Sequence, residues 1–352
     1  MSAPSIVINK WNERKFDQII DVRSPSEYKL DHIPNSINLP VLSDSERNTI
    51  GKIYKKSSFE ARKLGSIFIT KNISKHLEKS LNDKPNNYEA LIYCWRGGKR
   101  SESLSKIFSS IGWKNYVLSG GYKSYRNDVI NDLDDISDNL KIIILSGYTG
   151  LGKTEIIEIL NDKGLQTLNL EKLACHRGSL LGKIKNLKQP SQPFFESKVL
   201  EKIRTFDINK PVIIEAESSK IGNLLIPSGL WKNMHKSPSI LLKTNNISSR
   251  IKFLINSYGE ITKERNTLIS FLNKIQNKHS KEIIKTLKNM VQSNDWEKFT
   301  NDIIKHHFDP SYQKSSNNHN RKIISVINQE ECNNKIFLET SNKIIKIVKI
   351  KF

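Results

Sequence analysis

The nine residues Tyr93-Cys94-Trp95-Arg96-Gly97-Gly98-Lys99-Arg100-Ser101 (YCWRGGKRS) decide how the first part of the chain folds. A short apolar run, Ala90–Tyr93, leads into Cys94, and Ser101–Ile111 then carries Leu104, Ile107, Phe108 and Ile111 at helical spacing. The pattern is strand, Gly-rich loop, helix, with the cysteine at the strand's end. In such a loop backbone N–H groups converge on the sulfur, and the helix adds its positive N-terminal end. Arg96, Lys99 and Arg100 add cations. All of this favours the thiolate, which is the nucleophilic form. Cys94 is therefore the expected catalytic residue, and Trp95, Arg96, Gly97, Gly98, Lys99 and Arg100 form the loop that supports it. Cys175 and Cys332 have no such setting and read as incidental. Trp95 stands where a ring could stack on a base or pack on the sheet.

Further strands flank this loop. Gln18–Asp21 reads as a short buried strand followed by a turn at Ser24-Pro25. His32-Ile33-Pro34-Asn35 is a second turn leading into Ile37–Leu39. Tyr116–Leu118 is a strand closed by Gly120-Gly121. Strands alternating with helices imply parallel βα units and an α/β class. The polar, acidic run Asn131–Leu140 (NDLDDISDNL) reads as a linker after a first domain over 1–130.

A second α/β unit is expected over 141–260. Lys141–Leu145 is its first strand, followed by Gly147-Tyr148-Thr149-Gly150-Leu151-Gly152-Lys153-Thr154 and a helix to about Leu160. This matches G-x-x-x-x-G-K-[ST] without a mismatch and in the strand–loop–helix context that the motif requires. The glycines let backbone N–H groups face phosphate oxygens, Lys153 supplies a cation, and the Thr154 hydroxyl can reach Mg2+. The motif specifies a phosphate ligand without choosing between a nucleotide and another diphosphate. Pro211–Ile214 is a later strand, and Glu215 or Glu217 just beyond it is the expected acidic, metal-associated group. Ser239–Leu242 is another strand. The pattern turns helical over 261–352, with the tail Asn342–Phe352 compatible with strand or helix and Lys314–Lys322 expected to be a loop. His176 and Arg177 are candidates for contact with phosphate or RNA, with a helix cap or a buried place as the alternative for His176, and Arg250 is a candidate phosphate-facing arginine.

The chain has 352 residues, with 57 Lys and Arg against 36 Asp and Glu, a net charge of +21. Mean hydropathy is −0.50, too apolar and too patterned for a disordered chain. Three cysteines with no CxxC pair exclude a disulfide framework and point to a reducing compartment. The N-terminal residues lack the apolar core of a signal peptide, and no apolar run approaches the ~20 residues that span a bilayer. A cytoplasmic protein without a membrane partner is expected. The cations comprise 45 Lys and 12 Arg, and Asn numbers 35. Such a Lys, Asn and Ile excess is also what an AT-rich genome produces, so distribution says more than the total. Residues 1–140 carry a net +5 and residues 141–352 a net +16. A nucleic-acid partner is expected mainly against the second part.

The run DVRSPSEYKLDHIPNSINLP (Asp21–Pro40), the cysteine loop and Gly120-Gly121 together resemble a rhodanese. That resemblance implies a sulfur or selenium carried on Cys94 as persulfide or perselenide, a structural Asp21–Arg23 ion pair, and a buttressing His32-Ile33-Pro34 turn. A rhodanese loop and a phosphate loop in one chain resemble the bacterial tRNA 2-selenouridine synthases. The blocks LSGGYKSYR (Leu118–Arg126), LSGYTGLGKTE (Leu145–Glu155), LNLEKLACHRGSLLG (Leu168–Gly182), QPSQPFFES (Gln189–Ser197) and IEAESSKIGNLLIP (Ile214–Pro227) carry that resemblance, with a weaker block HHFDPSY (His306–Tyr312). It implies modification of the wobble 2-thiouridine in tRNAs for Lys, Glu and Gln. Geranyl diphosphate would alkylate the sulfur, and selenophosphate would then supply selenium, with a selenophosphate-supplying enzyme as a partner. No tightly bound cofactor is implied. Two other readings fit the motifs: Cys94 to Arg100 is also the C-x5-R spacing of a cysteine phosphatase, and the pair of motifs suits a sulfurtransferase fused to a P-loop NTPase or kinase.

Overall fold

The computed structural model describes residues 3–351 except 179–181, 183, 185, 217, 258, 260–263 and 318–320. The chain divides into two compact units, residues 1–132 with 190–201 and residues 133–189 with 202–352.

In the first unit β1 (Ser5–Ile8), β2 (Gln18–Asp21), β3 (Ser36–Asn38), β4 (Glu89–Tyr93) and β5 (Lys114–Leu118) form one sheet in the order β1-β5-β4-β2-β3, with every pair parallel. Ala90–Tyr93 is buried throughout, as expected of a central parallel strand covered on both faces. Helix Lys99–Ile111 returns from β4 to β5 and ends at Gly112, whose φ of +102° is the left-handed cap that glycine allows. Its inner residues Leu104 and Phe108 join Ile20, Ile92 and Trp113 in one core. Between β3 and β4 the chain makes a helical hairpin, Asp44–Tyr54 and Ser58–Ser80, opened by the capping serines Ser43 and Ser57.

Helix Gly121–Asn139 begins after the Ser119-Gly120 turn that follows β5 and runs on through Asn131–Asn139, so the stretch expected to link the two units is helical, and the boundary between the units, Asp132/Leu133, falls inside it. Its acidic face hides apolar spacing: Val129, Leu133 and Leu140 are buried, and Ser137 with them. Helix Gln192–Ile203, which the sequence places amid the second unit, has residues 190–201 grouped with the first. Ser197 Oγ donates to Asp31 Oδ2 at 3.2 Å, Arg126 is ion-paired with Glu196, and Phe194 lies against His32 with ring centroids 4.9 Å apart.

In the second unit β6 (Ile142–Ser146), β7 (Gln166–Leu168), β8 (Val212–Glu215), β11 (Ser239–Lys243) and β12 (Ile323–Asn328) form a parallel sheet in the order β12-β11-β6-β8-β7, while β9 (Lys220–Ile221) and β10 (Leu224–Leu225) make a small antiparallel pair. The last part of the chain is mainly helical, as expected, but through β12 it completes this sheet and does not stand apart. The tail lies in helix Asn334–Lys351, packed through Phe337 and Ile344 on the same core. Helices Arg265–Ile275, Lys281–Ser293 and Trp296–Ile303 enclose a separate apolar cluster of this unit. Lys314–Lys322, expected to be a loop, begins within helix Asp309–Asn317; residues 318–320 of it lie outside the described residues.

Candidate active site

Cys94 follows the last residue of β4 and is 4% exposed, one side of it against the apolar core. The other side is polar. Gly98 N–H donates to its Sγ at 3.2 Å and Ser101 Oγ donates at 3.3 Å. Burial pushes the thiol pKa up, but the bonds from Ser101 and from the amides of Arg96, Gly98 and Ser101 outweigh it, and the net shift is downward. The loop is held from behind by the glycine pair after β5. Tyr122 N–H donates to Cys94 O at 2.8 Å and Lys123 N–H to Trp95 O at 3.1 Å. A Cβ on Gly121 would lie 2.2 Å from Cys94 O, and one on Gly97 2.5 Å from Leu118 O, so backbone meets backbone at both places.

The cations expected to support the thiolate stand elsewhere. Arg96 and Lys99 are exposed and only the Arg96 amide addresses the sulfur. Arg100 Nη1 donates to Glu27 Oε2 at 2.9 Å, the same oxygen that Arg47 Nε approaches at 3.2 Å. Spacing places Arg100 in the first turn of the helix, but the buried Glu27 carboxylate decides where its guanidinium points. A C-x5-R phosphatase needs that arginine over the phosphate, and here it is engaged. Trp95 is 40% exposed, with its ring 5.2 Å from that of Tyr122. The Asp21–Arg23 pair is buried and bidentate, with Arg23 Nη2 at 2.6 Å from Asp21 Oδ2, and Arg23 lies 3.9 Å over the Tyr122 ring. His32 stacks on Tyr28 and Ile33 is fully buried, which makes that turn scaffold as expected.

In the second unit Gly147–Thr154 joins β6 to helix Lys153–Asp162. Gly147, Gly150 and Gly152 have φ of +149°, +85° and +67°. A Cβ on Gly152 would strike the Phe337 ring at 2.2 Å, and one on Gly150 would meet Leu254 at 2.8 Å. Leu151 is buried and anchors the turn. Lys153 Nζ donates to the carbonyls of Gly147 at 2.9 Å and Tyr148 at 3.2 Å, across the mouth of the loop. Thr154 Oγ1 lies 3.1 Å from Glu215 Oε2 and 3.2 Å from Glu171 Oε2. Glu215 is 1% exposed and its Oε1 has no partner. Burial, then the neighbouring Glu171, push its pKa up to about 8, against the pull of Lys153 and Thr154. The sequence reading named Glu215 but passed over Glu171; only the fold of Leu170–Leu173 beside β8 shows it. Glu217 lies outside the described residues.

A hydroxyl and one or two carboxylates beside a phosphate loop are the oxygen donors that Mg2+ takes together with substrate phosphates. Thr154, Glu215 and Glu171 fit that ion, and the unpartnered Glu215 Oε1 is an acceptor it could satisfy. Among the described residues no group of three or more His, Cys, Asp and Glu forms a cage for a metal by itself.

Arg250 does not face phosphate. It is 4% exposed, donates from Nε to Thr149 O at 2.8 Å and pairs through both Nη atoms with Asp309, at 3.0 and 2.6 Å. Tyr312 Oη accepts from Gly147 N–H at 2.7 Å, and Gln313 Nε2 donates to Tyr148 Oη at 2.7 Å. The weak block HHFDPSY thus closes on the phosphate loop from outside. His176 is buried, its Nδ1 is unpartnered, and burial lowers its pKa, so it is a neutral interior histidine rather than a surface contact. Arg177 is exposed and donates to Ser257 O at 2.6 Å. Among the described residues no helix is long and apolar enough to cross a membrane.

Residues 6–128 match the family model of the rhodanese-like domain, and residues 140–343 that of the tRNA 2-selenouridine synthase AAA domain. Three curated relatives carry the name tRNA 2-selenouridine synthase. That of Nitrosomonas europaea is 32% identical over 245 residues, 68% of this chain and 63% of the relative. That of Nitrosomonas eutropha is 33% identical over 245 residues, 68% and 62% of the two chains. That of Psychromonas ingrahamii is 33% identical over 249 residues, 70% and 66%. The alignments thus span slightly under two thirds of the length of these relatives.

Proposed function

The chain belongs to the tRNA 2-selenouridine synthase family, and from that premise we propose that it is an enzyme exchanging the sulfur of a wobble 2-thiouridine in tRNA for selenium, through an S-geranyl intermediate. The observation that carries this reading is the combination of a hydrogen-bonded, acidified Cys94 with a complete phosphate loop in one chain of this family. In the first step the thiocarbonyl sulfur attacks C1 of geranyl diphosphate; the C–O bond breaks, diphosphate leaves, and the base gives up its N3 proton. The loop Gly147–Thr154 binds that diphosphate through its amides and Lys153, and Thr154, Glu215 and Glu171 would hold Mg2+, which when bound neutralises charge on the leaving diphosphate.

Alkylation matters because a thiocarbonyl sulfur leaves poorly, whereas an S-geranyl group departs as the thiol. In the second step the selenium of selenophosphate bonds to C2, the C2–S bond breaks and geranyl thiol leaves with a proton, and water cleaves the P–Se bond to release phosphate, so selenium replaces sulfur at the same oxidation level. Cys94 serves this half: amides and a hydroxyl that stabilise its own sulfur anion suit a heavier chalcogen anion equally well. The substrates would be tRNAs for Lys, Glu and Gln, met in the cytoplasm, with a selenophosphate-supplying enzyme as partner.

The test is mass spectrometry of nucleosides from tRNA of a strain lacking the gene, complemented with wild type, Cys94→Ser or Lys153→Ala. Cys94→Ser is expected to abolish selenium incorporation and leave S-geranyl-2-thiouridine to accumulate. Lys153→Ala is expected to cut both products at least tenfold. If both variants modify tRNA like wild type, the roles assigned here are wrong.

A further inference from the structure

Resting on the tRNA reading above, we propose that the tip of the helical hairpin Asp44–Ser80 is an RNA-binding platform that takes an unpaired stretch of the tRNA. The inner side of the hairpin is anchored. Ala61, Gly65 and Ile73 are buried, a Cβ on Gly65 would lie 3.5 Å from Ile50 Cδ1, and Ile69 and Leu77 pack on the first unit's core. The tip is different. Lys52, Tyr54, Lys55, Lys56, Phe59, Arg62 and Lys63 are all exposed within twelve residues of chain. Glu60 is the one acid among residues 52–63.

Charge is concentrated here, not spread. Residues 44–80 hold nine cations and four anions, a net +5, and residues 1–140 as a whole also carry +5. The rest of that segment is therefore neutral. A genome-wide bias towards lysine would enrich the whole segment and does not produce such a concentration. Two large rings add the second observation. Tyr54 is 61% and Phe59 64% exposed, at the junction of the two helices; among the described residues the next most exposed large aromatic side chain is Trp95, at 40%.

Cations interleaved with open rings are what an unstacked base flanked by phosphates requires: the rings take the base faces and the ammonium and guanidinium groups take the backbone. A protein partner that buried two aromatic rings would have to strip water from five cations, which the one acid nearby, Glu60, does not offset.

Binding of the full chain to an unmodified tRNA transcript, measured by fluorescence anisotropy across a salt series, tests this. The quadruple variant Lys52→Gln, Lys55→Gln, Lys56→Gln, Arg62→Gln is expected to bind about tenfold or more weakly near 0.15 M salt. The slope of log K against log salt should flatten by about 0.7–0.9 per lost phosphate contact. Tyr54→Ala with Phe59→Ala is expected to lose about fivefold or more with the slope unchanged, which a general loss of charge would not do. All six side chains are exposed, and unchanged thermal melting would show that both variants remain folded. Wild type that binds tRNA while the ring variant binds equally well overturns the platform and leaves the tRNA reading standing. Wild type that fails to bind the transcript overturns both.

Discussion

Ser101 shows how much of the chemistry one hydroxyl carries. It donates to Cys94 Sγ and is the largest of the contributions that bring the thiol below its ordinary 9.0, against the burial that raises it. Ser101→Ala is expected to raise the Cys94 pKa, read as a later rise of thiolate absorbance in a pH titration with Cys94→Ser subtracted. The sign extends to stability: the native thiol gives up its proton before the unfolded one, so this group adds stability as pH climbs towards 9 and the gain is lost as pH falls through the native value. Glu215 behaves in the opposite sense. Its carboxyl is raised from 4.5 to about 8, so the folded state holds the extra proton and stability is lost as pH rises through that window. Glu215→Gln is expected to flatten the decline of Tm between pH 5 and about 8. At this scale Cys94, Lys153, Thr154 and Glu215 were legible, because strand ends and glycine loops fix where a backbone points. Arg100 and Arg250 were not, because long side chains turn to whichever carboxylate the fold buries nearby, here Glu27 and Asp309.

At the scale of elements, the phosphate loop depends on what packs behind it. Gly152 combines a φ of +67° with the Phe337 ring directly where a Cβ would go. Gly152→Ala is expected to lose most diphosphate binding, measured by calorimetry with inorganic pyrophosphate and Mg2+, and to lower stability by about 1–3 kcal/mol through strain and overpacking. A smaller residue at 337 should restore part of the stability, since the clash is with that ring. The central strands β4, β6, β8 and β11 were readable as continuous apolar runs, which is how strands covered on both faces appear, whereas β1, β7 and β12 were passed over. Helix Gly121–Asn139 was obscured because its last turns carry four aspartates, with Leu133 and Ser137 the buried residues among them. The hairpin Asp44–Ser80 offered no motif, since its amphipathic spacing is weak and its sense emerges only with exposure known residue by residue.

At the scale of the whole molecule, remote sequence closes each unit. Arg250 is held by Asp309 while it holds the phosphate loop through Thr149 O. Arg250 is buried while Asp309 is partly exposed, so Asp309→Ala strands the guanidinium with some access to water and is expected to cost about 1–3 kcal/mol, read from denaturant unfolding, with weaker pyrophosphate binding. The two α/β units and their order could be read from the sequence, whereas the membership of 190–201 and of β12 could not, because a helix or strand does not declare from its own residues which sheet it will join. That membership has a practical sequel. Modules that trade places in evolution, or that an experimenter clones singly, normally come away with one cut. Here a fragment stopping near residue 140 would leave behind the serine, glutamate and phenylalanine that touch Asp31, Arg126 and His32, so that Asp31 would keep the Tyr122 hydroxyl and His32 the Tyr28 ring but each would lose its other cover. The two halves are interleaved as text, so no single cut in the gene separates them without dividing one of them.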